Sequence, residues 1–194
     1  MAFIGLVTVL VLIHNTAGVL GAEVSSSIVG GQDALKNKWP WMVHLNITSD
    51  GVKKWRCGGT ILNSQWILTA AHCWVTDPPP KLDRCVVWVG AHSLEVGAER
   101  YMQVDTIVPD EKYGALSSGY VNDIALVKLK KKIRFSKQVS GDYGGPLVCS
   151  SAGGFVQVGI MSYGSPDGCG LPGRPGFYTQ VSKHLTFIND WIHR

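Results

Sequence analysis

The sequence predicts an all-β fold of antiparallel strands that ends in a single helix. Short apolar runs recur along the chain with turn residues between them, and one segment alternates apolar and polar residues. Helical spacing of apolar residues is confined to the end of the chain. This combination is typical of an antiparallel β-barrel. The runs cover residues 60–62, 66–69, 86–89, 104–108, 124–129 and 155–160, followed by a last strand at 176–181.

The first predicted strand follows Trp39, where apolar and polar residues alternate from 41 to 48. This alternation predicts one buried and one exposed face. Asp50-Gly51 then favours a hairpin turn. Asn46 opens an Asn-Ile-Thr sequence and is therefore a candidate glycosylation site, although this pattern has low specificity.

The predicted helix lies at the end of the chain. Val181, Leu185, Ile188 and Trp191 recur at helical spacing, and Ser182 is placed to cap the first turn. We expect this apolar stripe to pack into the core.

The first 22 residues form a separate segment. Residues 3–13 are almost entirely apolar, and small residues follow up to Gly21-Ala22. This pattern predicts a signal peptide over residues 1–22 and a secreted, extracellular protein. A membrane anchor is the alternative, but the apolar run is shorter than the roughly 20 residues that a spanning helix needs. No other stretch approaches that length, so we expect no membrane partner.

Charge and composition restrict the possible partners. The formal net charge is only +4, and basic residues do not interleave with aromatic ones, which argues against a nucleic-acid partner. One basic run follows an apolar strand and reads as a solvated loop, with contact to a polyanion as the alternative. Its lysines are Lys128, Lys130, Lys131 and Lys132.

A glycine-rich stretch at residues 140–149 carries the strongest functional signal. Three glycines surround Asp142 and Tyr143 and predict a tight turn that can direct several backbone N–H groups at one point. The stretch resembles the nucleophile loop of the trypsin/chymotrypsin family of serine proteases, whose pattern is Gly-Asp-Ser-Gly-Gly-Pro. Tyr143 stands where that family carries its catalytic serine. The resemblance also implies oxyanion donors at the N–H groups of Gly141 and Tyr143.

Two further motifs match the same family. His72 lies in Leu-Thr-Ala-Ala-His-Cys, which resembles the general-base motif, although an isolated histidine is more often structural. Asp123 opens an apolar strand, where a buried carboxylate must be paired. The resemblance makes Asp123 the group that orients the His72 imidazole.

The resemblance also implies how the chain is activated. Residues 28–31 read Ile-Val-Gly-Gly, which is the mature N-terminus in the family, so residues 23–27 would be a short propeptide. The freed amine of Ile28 would pair with Asp142. Ser27 precedes the cut, whereas family zymogens usually carry Arg or Lys there.

Family members act on protein or peptide substrates without a cofactor or a metal ion, and we expect the same here. The substrate-lining edge would comprise Ser162, Tyr163, Gly164 and Gly176.

The five cysteines are an odd number, so at least one lacks an intramolecular partner. The resemblance implies a disulfide between Cys57 and Cys73, worth about 3 kcal/mol. The family partners of Cys149 and Cys169 are absent, and Cys85 is atypical. We expect these three thiols to react without denaturant, unless Cys149 and Cys169 bond to each other.

The chain is short for this family. Removal of residues 1–27 leaves 167 of the 194 residues, against about 200–250 for a two-barrel protein. Asp123 and Tyr143 are close in sequence, which leaves no room for the front half of a second barrel. We therefore predict a chymotrypsin-like double antiparallel β-barrel with the second barrel incomplete. The N-terminal barrel and linker start would cover residues 28–138 and the C-terminal remnant 139–194.

Three hypotheses about activity follow. The chain is a working serine endopeptidase, a silent homologue that acts by binding as a decoy or partner, or the internally deleted product of a protease gene. Tyr143 opposes the first, because its hydroxyl lies a whole ring beyond the attack position. The floor of the specificity pocket would fall in the gap, so the cleavage preference cannot be assigned. We expect this chain to be inactive.

Overall fold

The computed structural model describes residues 34–35, 38–50, 53–90, 100–134, 144–165 and 173–193. Signal peptide, propeptide, Ile28, Gly141 to Tyr143 and Cys169 lie outside these ranges. The described strands are β1 Met42–Thr48, β2 Lys54–Ile61, β3 Trp66–Thr69, β4 Val86–Val89, β5 Arg100–Pro109, β6 Gly114–Leu116, β7 Gly119–Val121, β8 Ala125–Leu129, β9 Pro146–Ser151, β10 Gly154–Tyr163 and β11 Phe177–Gln180. One α-helix, α1, spans Leu185–Ile192.

The first half of the chain closes into a six-stranded antiparallel barrel. The strand order is β1-β2-β3-β8-β5-β4, and all neighbours are antiparallel. β1 and β2 form the hairpin expected at Asp50, whose carboxylate accepts a hydrogen bond from the Lys53 N–H at 3.1 Å. The barrel core is built from aliphatic residues of the predicted runs, which include Val43, Leu45, Ile67 and Leu126. The all-β fold with a closed barrel is confirmed.

β1 is buried on both faces, so the prediction of a half-exposed strand was wrong. His44 and Thr48, on the face expected to be polar and solvated, are 5% and 7% exposed. Neighbouring loops cover this face, because the carbonyl of Thr48 accepts the Lys81 N–H and the Thr48 N–H donates to Cys85 Sγ.

Cys85 is completely buried, so the expectation that it reacts without denaturant was wrong. Burial raises the pKa of its thiol, which keeps it protonated and unreactive. Cys149, in contrast, is exposed on β9.

The second half of the described chain forms an open three-stranded sheet with the order β11-β10-β9. It corresponds to part of a second barrel, as predicted, and large apolar side chains on it remain solvent-exposed. They are Leu147, Phe155, Val156, Val158, Phe177 and Tyr178. An exposed apolar sheet face of this kind lowers solubility and promotes aggregation.

The C-terminal helix is confirmed, but its start was predicted wrongly. A 3₁₀ turn at Val181–His184 precedes α1, and Ser182 lies inside that turn, where its hydroxyl accepts a hydrogen bond from Gln180. Ser182 therefore does not cap α1. Leu185 is half exposed, so the apolar stripe is only partly core; Ile188 is buried. In the described part of the chain, no helix is long and apolar enough to cross a membrane.

Candidate active site

The centre of the candidate site is a hydrogen-bonded pair of His72 and Asp123. Thr69 at the end of β3 pairs with Ala125 at the start of β8, so the residues flanking these ends meet. His72 lies in the 3₁₀ turn Ala71–Cys73, and its Nδ1 is 2.7 Å from Asp123 Oδ2. The backbone N–H of His72 donates to the other carboxylate oxygen at 2.8 Å. These two hydrogen bonds to the Asp123 carboxylate fix both the position of His72 and the plane of its imidazole.

Asp123 is 1% exposed, and its environment is built to hold a negative charge. Burial alone raises the pKa of this carboxyl, but the hydrogen bonds and charge of His72, together with the Ser162 hydroxyl, lower it below its usual value. An ionised carboxylate only accepts hydrogen bonds, so Nδ1 of His72 carries the proton and Nε2 is left to act as a base.

Ser162 has a role that the sequence did not indicate. We predicted it on the substrate-lining edge, and that prediction is not tested by its side chain, which is buried and donates a hydrogen bond to Asp123 Oδ2. Thr179, on β11, adds a hydrogen bond from its hydroxyl to the Asp123 carbonyl at 2.9 Å. Both residues belong to the second sheet, so that sheet stabilises a pair formed by the first barrel.

A disulfide joins Cys57 on β2 to Cys73, directly after His72. It ties the 3₁₀ turn of the histidine to the barrel wall. The two sulfurs and the His72 ring lie close enough for a metal centre. Because both sulfurs are oxidised to the disulfide, they offer no thiolate ligands.

An aromatic wall borders His72, and of its residues the sequence had indicated only Tyr163. The ring of Tyr120 stacks on the imidazole with centroids 4.8 Å apart. Tyr113 stacks behind Tyr120, and Tyr163 meets it edge-on. Tyr120 lies on the β6–β7 hairpin, whose strands are too short to give a periodic signal in the sequence.

Tyr163 continues this wall toward β11. Its ring stacks on Phe177 at 4.5 Å and occupies the place where a side chain on Gly119 would project. Position 119, at φ 140°, therefore requires glycine, because a side chain there would overlap Tyr163. Gly176 lies against Met161 and Tyr178, whereas no described residue beyond its chain neighbours lies within 4 Å of where a side chain on Gly164 would begin.

The glycine-rich stretch enters the described structure at Gly144. This residue has φ 74°, and a side chain there would overlap the Thr69 hydroxyl and the Gly58 carbonyl. Its N–H donates to the Met161 carbonyl at 3.1 Å, and the Met161 N–H donates to the Gly145 carbonyl at 3.0 Å. The end of the stretch is thus held between the strand leading to His72 and the strand carrying Ser162.

The remaining predicted residues lie away from this pair. Asn46 is half buried on β1, and its Oδ1 lies 3.0 Å from His44 Nε2. The ammonium of Lys128 lies over the Trp66 ring, 5.5 Å from its centroid, whereas the three lysines at 130–132 are exposed.

Comparison with known proteins gives the family. The family model Trypsin matches residues 28–140 and 138–192. Chymotrypsin-C of Rattus norvegicus is 27% identical over 271 residues, with 96% of this chain and 97% of the relative covered. Chymotrypsin-like elastase family member 1 of Canis lupus familiaris is 25% identical over 261 residues, with 92% and 96% covered. The chain therefore belongs to the trypsin family of chymotrypsin-like serine proteases.

Proposed function

We propose that this chain is a secreted serine protease homologue that does not hydrolyse peptide bonds by the family mechanism. The observation that carries the proposal is Tyr143. Tyr143 holds the sequence position where the family has its serine. The next residue, Gly144, lies against the strand that leads to His72. The His72–Asp123 pair has the geometry of a base and its orienting carboxylate, so this pair is not the reason for the proposed inactivity.

The chemistry of tyrosine supports this proposal. Acyl transfer requires a hydroxyl within about 2.6–3.2 Å of the base while its oxygen faces the substrate carbonyl. A serine oxygen lies one bond beyond Cβ, whereas a phenol oxygen lies across an aromatic ring. Phenol, with a pKa near 10, is also a good leaving group. Loss of the serine in another triad protease costs about a millionfold in turnover.

A second defect is an internal gap of roughly 60 residues, judged against the usual size of two-barrel proteins. The family match divides into two segments that meet at 138–140, between Asp123 and Tyr143. The alignment to rat Chymotrypsin-C extends over 271 positions although the chain has only 194 residues. The open sheet β9–β10–β11 with its exposed apolar residues fits the same interpretation. Such a gap removes the floor of the specificity pocket.

A fluorophosphonate probe tests the proposal, because it labels activated serine nucleophiles. We expect no labelling of the chain that starts at Ile28, and no rescue by Tyr143→Ser, since the pocket floor would still be missing. An intact relative of the family, labelled in parallel, is the control. Labelling of the unaltered chain at residues 140–145 would refute the proposal.

A second candidate function is binding without catalysis, as a decoy or partner. This function is favoured by the aromatic wall of Tyr120 and Tyr163, which packs beside the oriented His72 and offers a surface on which a peptide can lie. Competition for the peptide substrates of an active relative tests this candidate. A chain that neither binds nor protects those peptides would leave only the inactive deletion product.

A further inference from the structure

The two faces of the sheet β9–β10–β11 differ in what lies against them. One face carries Ile160, Ser162 and Thr179, which are all buried. The Ser162 and Thr179 hydroxyls donate to Asp123, so the first barrel lies against this face. Because successive side chains of a strand point to opposite faces, the residues between these project away from the barrel. They form a second face, which we call the outer face.

The outer face is apolar and exposed. Leu147 and Tyr178 lie on it together, because a side chain on Gly159 between them would begin 3.2 Å from the Cβ atom of each. Val156 pairs with Cys149, which follows Leu147 by two residues on β9 and therefore lies on the same side. Leu147, Val156 and Tyr178 are 42%, 52% and 45% exposed, and Cys149 is exposed as well. Apolar side chains clustered on one exposed face indicate an interaction surface.

The absence of charge on these strands favours contact with a second copy of the chain. None of the residues in β9, β10 and β11 is charged. Around a two-fold axis each residue near the axis meets its own copy, so a charged residue there would face a like charge. Edge strands usually carry lysines or other charges that prevent such pairing. β9 is an edge of the described sheet and carries none.

The number and order of the strands point to the same partner. In the closed first barrel, β8, β5 and β4 are neighbours in that order, and β1, β2 and β3 complete the six strands. The second sheet repeats this order as β11-β10-β9, without such a complement among the described residues. The stretches 135–143 and 166–172 beside it are each too short to supply three more strands, even of the length of β11. A second copy of the chain supplies three.

We propose that two copies of this chain associate through the outer face of β9–β10–β11 and close a six-stranded unit around a two-fold axis. An axis perpendicular to the strands places β9 antiparallel to β9 of the second copy, which satisfies the main-chain groups at that edge. Leu147, Val156 and Tyr178 of each copy then lie inside the unit. The contact does not involve Tyr143, so it is independent of the proposed loss of catalysis.

The size of the outer face sets the expected affinity. Three strands about 4.8 Å apart, over the ten residues of β10 at about 3.3 Å each, give a face of about 14 Å by 33 Å. This area of roughly 450 Å² per copy is below the roughly 800 Å² per partner of a standard interface. We therefore expect a dissociation constant in the micromolar range and a dimer that exchanges with the monomer.

Sedimentation velocity of the full chain, recovered from the medium of expressing cells, tests the inference. Between about 0.5 and 50 μM, on either side of such a dissociation constant, we expect dimers to replace monomers without larger species. Leu147→Asp and Val156→Asp each place a charge near its own copy and should raise the dissociation constant at least about 10-fold. Leu116→Asp, the same change at an exposed leucine of β6, is the matched control and should leave it unchanged.

Three outcomes of this experiment would overturn the inference. The first is a chain that stays monomeric at every concentration. The second is a series of species larger than dimers, because open association lacks the two-fold closure. The third is a dimer that persists in both Asp variants, since the contact would then lie elsewhere. Far-UV circular dichroism shows whether each variant is folded, and an unfolded variant is replaced by the measurement on Cys149 that follows.

Labelling of Cys149 by a thiol reagent tests the outer face without altering it. In the monomer this thiol is exposed, whereas in the dimer it lies between the two sheets. Cys169→Ser keeps Cys149 from forming a disulfide within the chain, and buried Cys85 is the internal reference. With a dissociation constant of about 5 μM, labelling at about 50 μM should be about 4-fold slower than at about 0.5 μM. An unchanged labelling rate in a chain that dimerises would overturn the inference.

Discussion

Removal of the Asp123 carboxylate is the perturbation whose cost follows most directly from the structure. The side chain is buried and accepts hydrogen bonds from the His72 backbone, the His72 ring and the Ser162 hydroxyl. Asp123→Ala leaves these three donors without their acceptor. Each unsatisfied buried donor costs about 1–3 kcal/mol, and a buried pair broken on one side costs about 3–5 kcal/mol. Because His72 is partly exposed to water, we expect a loss of about 3–5 kcal/mol.

Urea unfolding followed by tryptophan fluorescence measures this loss. With a slope of about 2 kcal/mol per molar urea, the midpoint should fall by about 2 M. Ser162→Ala is the milder companion, since it removes one donor and leaves the carboxylate bonded to His72. We expect it to cost about 1 kcal/mol.

The control is Asp105→Ala, which removes an exposed carboxylate from β5 and should change stability by less than about 0.5 kcal/mol. If Asp123→Ala also cost less than 1 kcal/mol, the carboxylate would not be the acceptor that holds the two sheets together at this point. If Asp123→Ala failed to fold, Ser162→Ala would still test the argument, and an unchanged midpoint would contradict it.

Four further outcomes follow from the structure. The pKa of Asp123 is lower in the folded protein than its ordinary value of 3.8, so its contribution to stability is fully present above about pH 4 and is lost as pH falls through the lower, folded value. In Asp123→Asn this part of the pH dependence should disappear. Curves of unfolding free energy against pH that run parallel for the two proteins would contradict this prediction. A thiol reagent should modify Cys149 in native buffer but Cys85 only after denaturation, as read by mass mapping; native labelling of Cys85 would contradict its burial. Gly144→Ala should destabilise the chain by about 1–2 kcal/mol from its left-handed backbone alone, with more from overlap with Thr69, whereas Gly153→Ala, in open space, is the control. A chain that starts at Ile28 should melt within about 4 °C of the uncut chain, because the internal gap proposed above would remove most of the strands that bury this amine beside Asp142; a larger rise would show that the activation pocket forms.

The local pattern of the sequence was sufficient to predict most of the first barrel. β3 and β4 begin and end where their apolar runs do, because each is a short segment whose side chains are nearly all apolar or aromatic. β2 and β5 extend beyond their predicted runs, since their ends carry polar residues held by pairing with β1 and β4. Pairing partners are distant in sequence and leave no trace in a local pattern.

The residues of the candidate site divide in the same way. His72 and Asp123 could be recognised in the sequence because each lies in a short, specific motif, and the structure places their side chains in contact. Tyr120 was not recognised, and Ser162 was assigned to the substrate-lining edge without its bond to Asp123, because the contacts of a serine on a strand and a tyrosine on a short hairpin depend on what lies across from them. Only the folded chain brings Ser162 from the second sheet onto Asp123 and Tyr120 onto the His72 ring.

Burial was likewise decided by the tertiary structure. The alternation in β1 correctly indicated a strand, but periodicity describes only which side chains share a face and not whether another layer covers that face. The loop that carries Lys81 and Cys85 folds back over Thr48, so this polar position is buried and the cysteine becomes inert. The sequence by itself determined most strands of the first barrel and the motifs that carry His72 and Asp123, because these depend on neighbours in the chain. The tertiary structure decided which polar groups are buried and paired, because those contacts join residues separated by tens of positions.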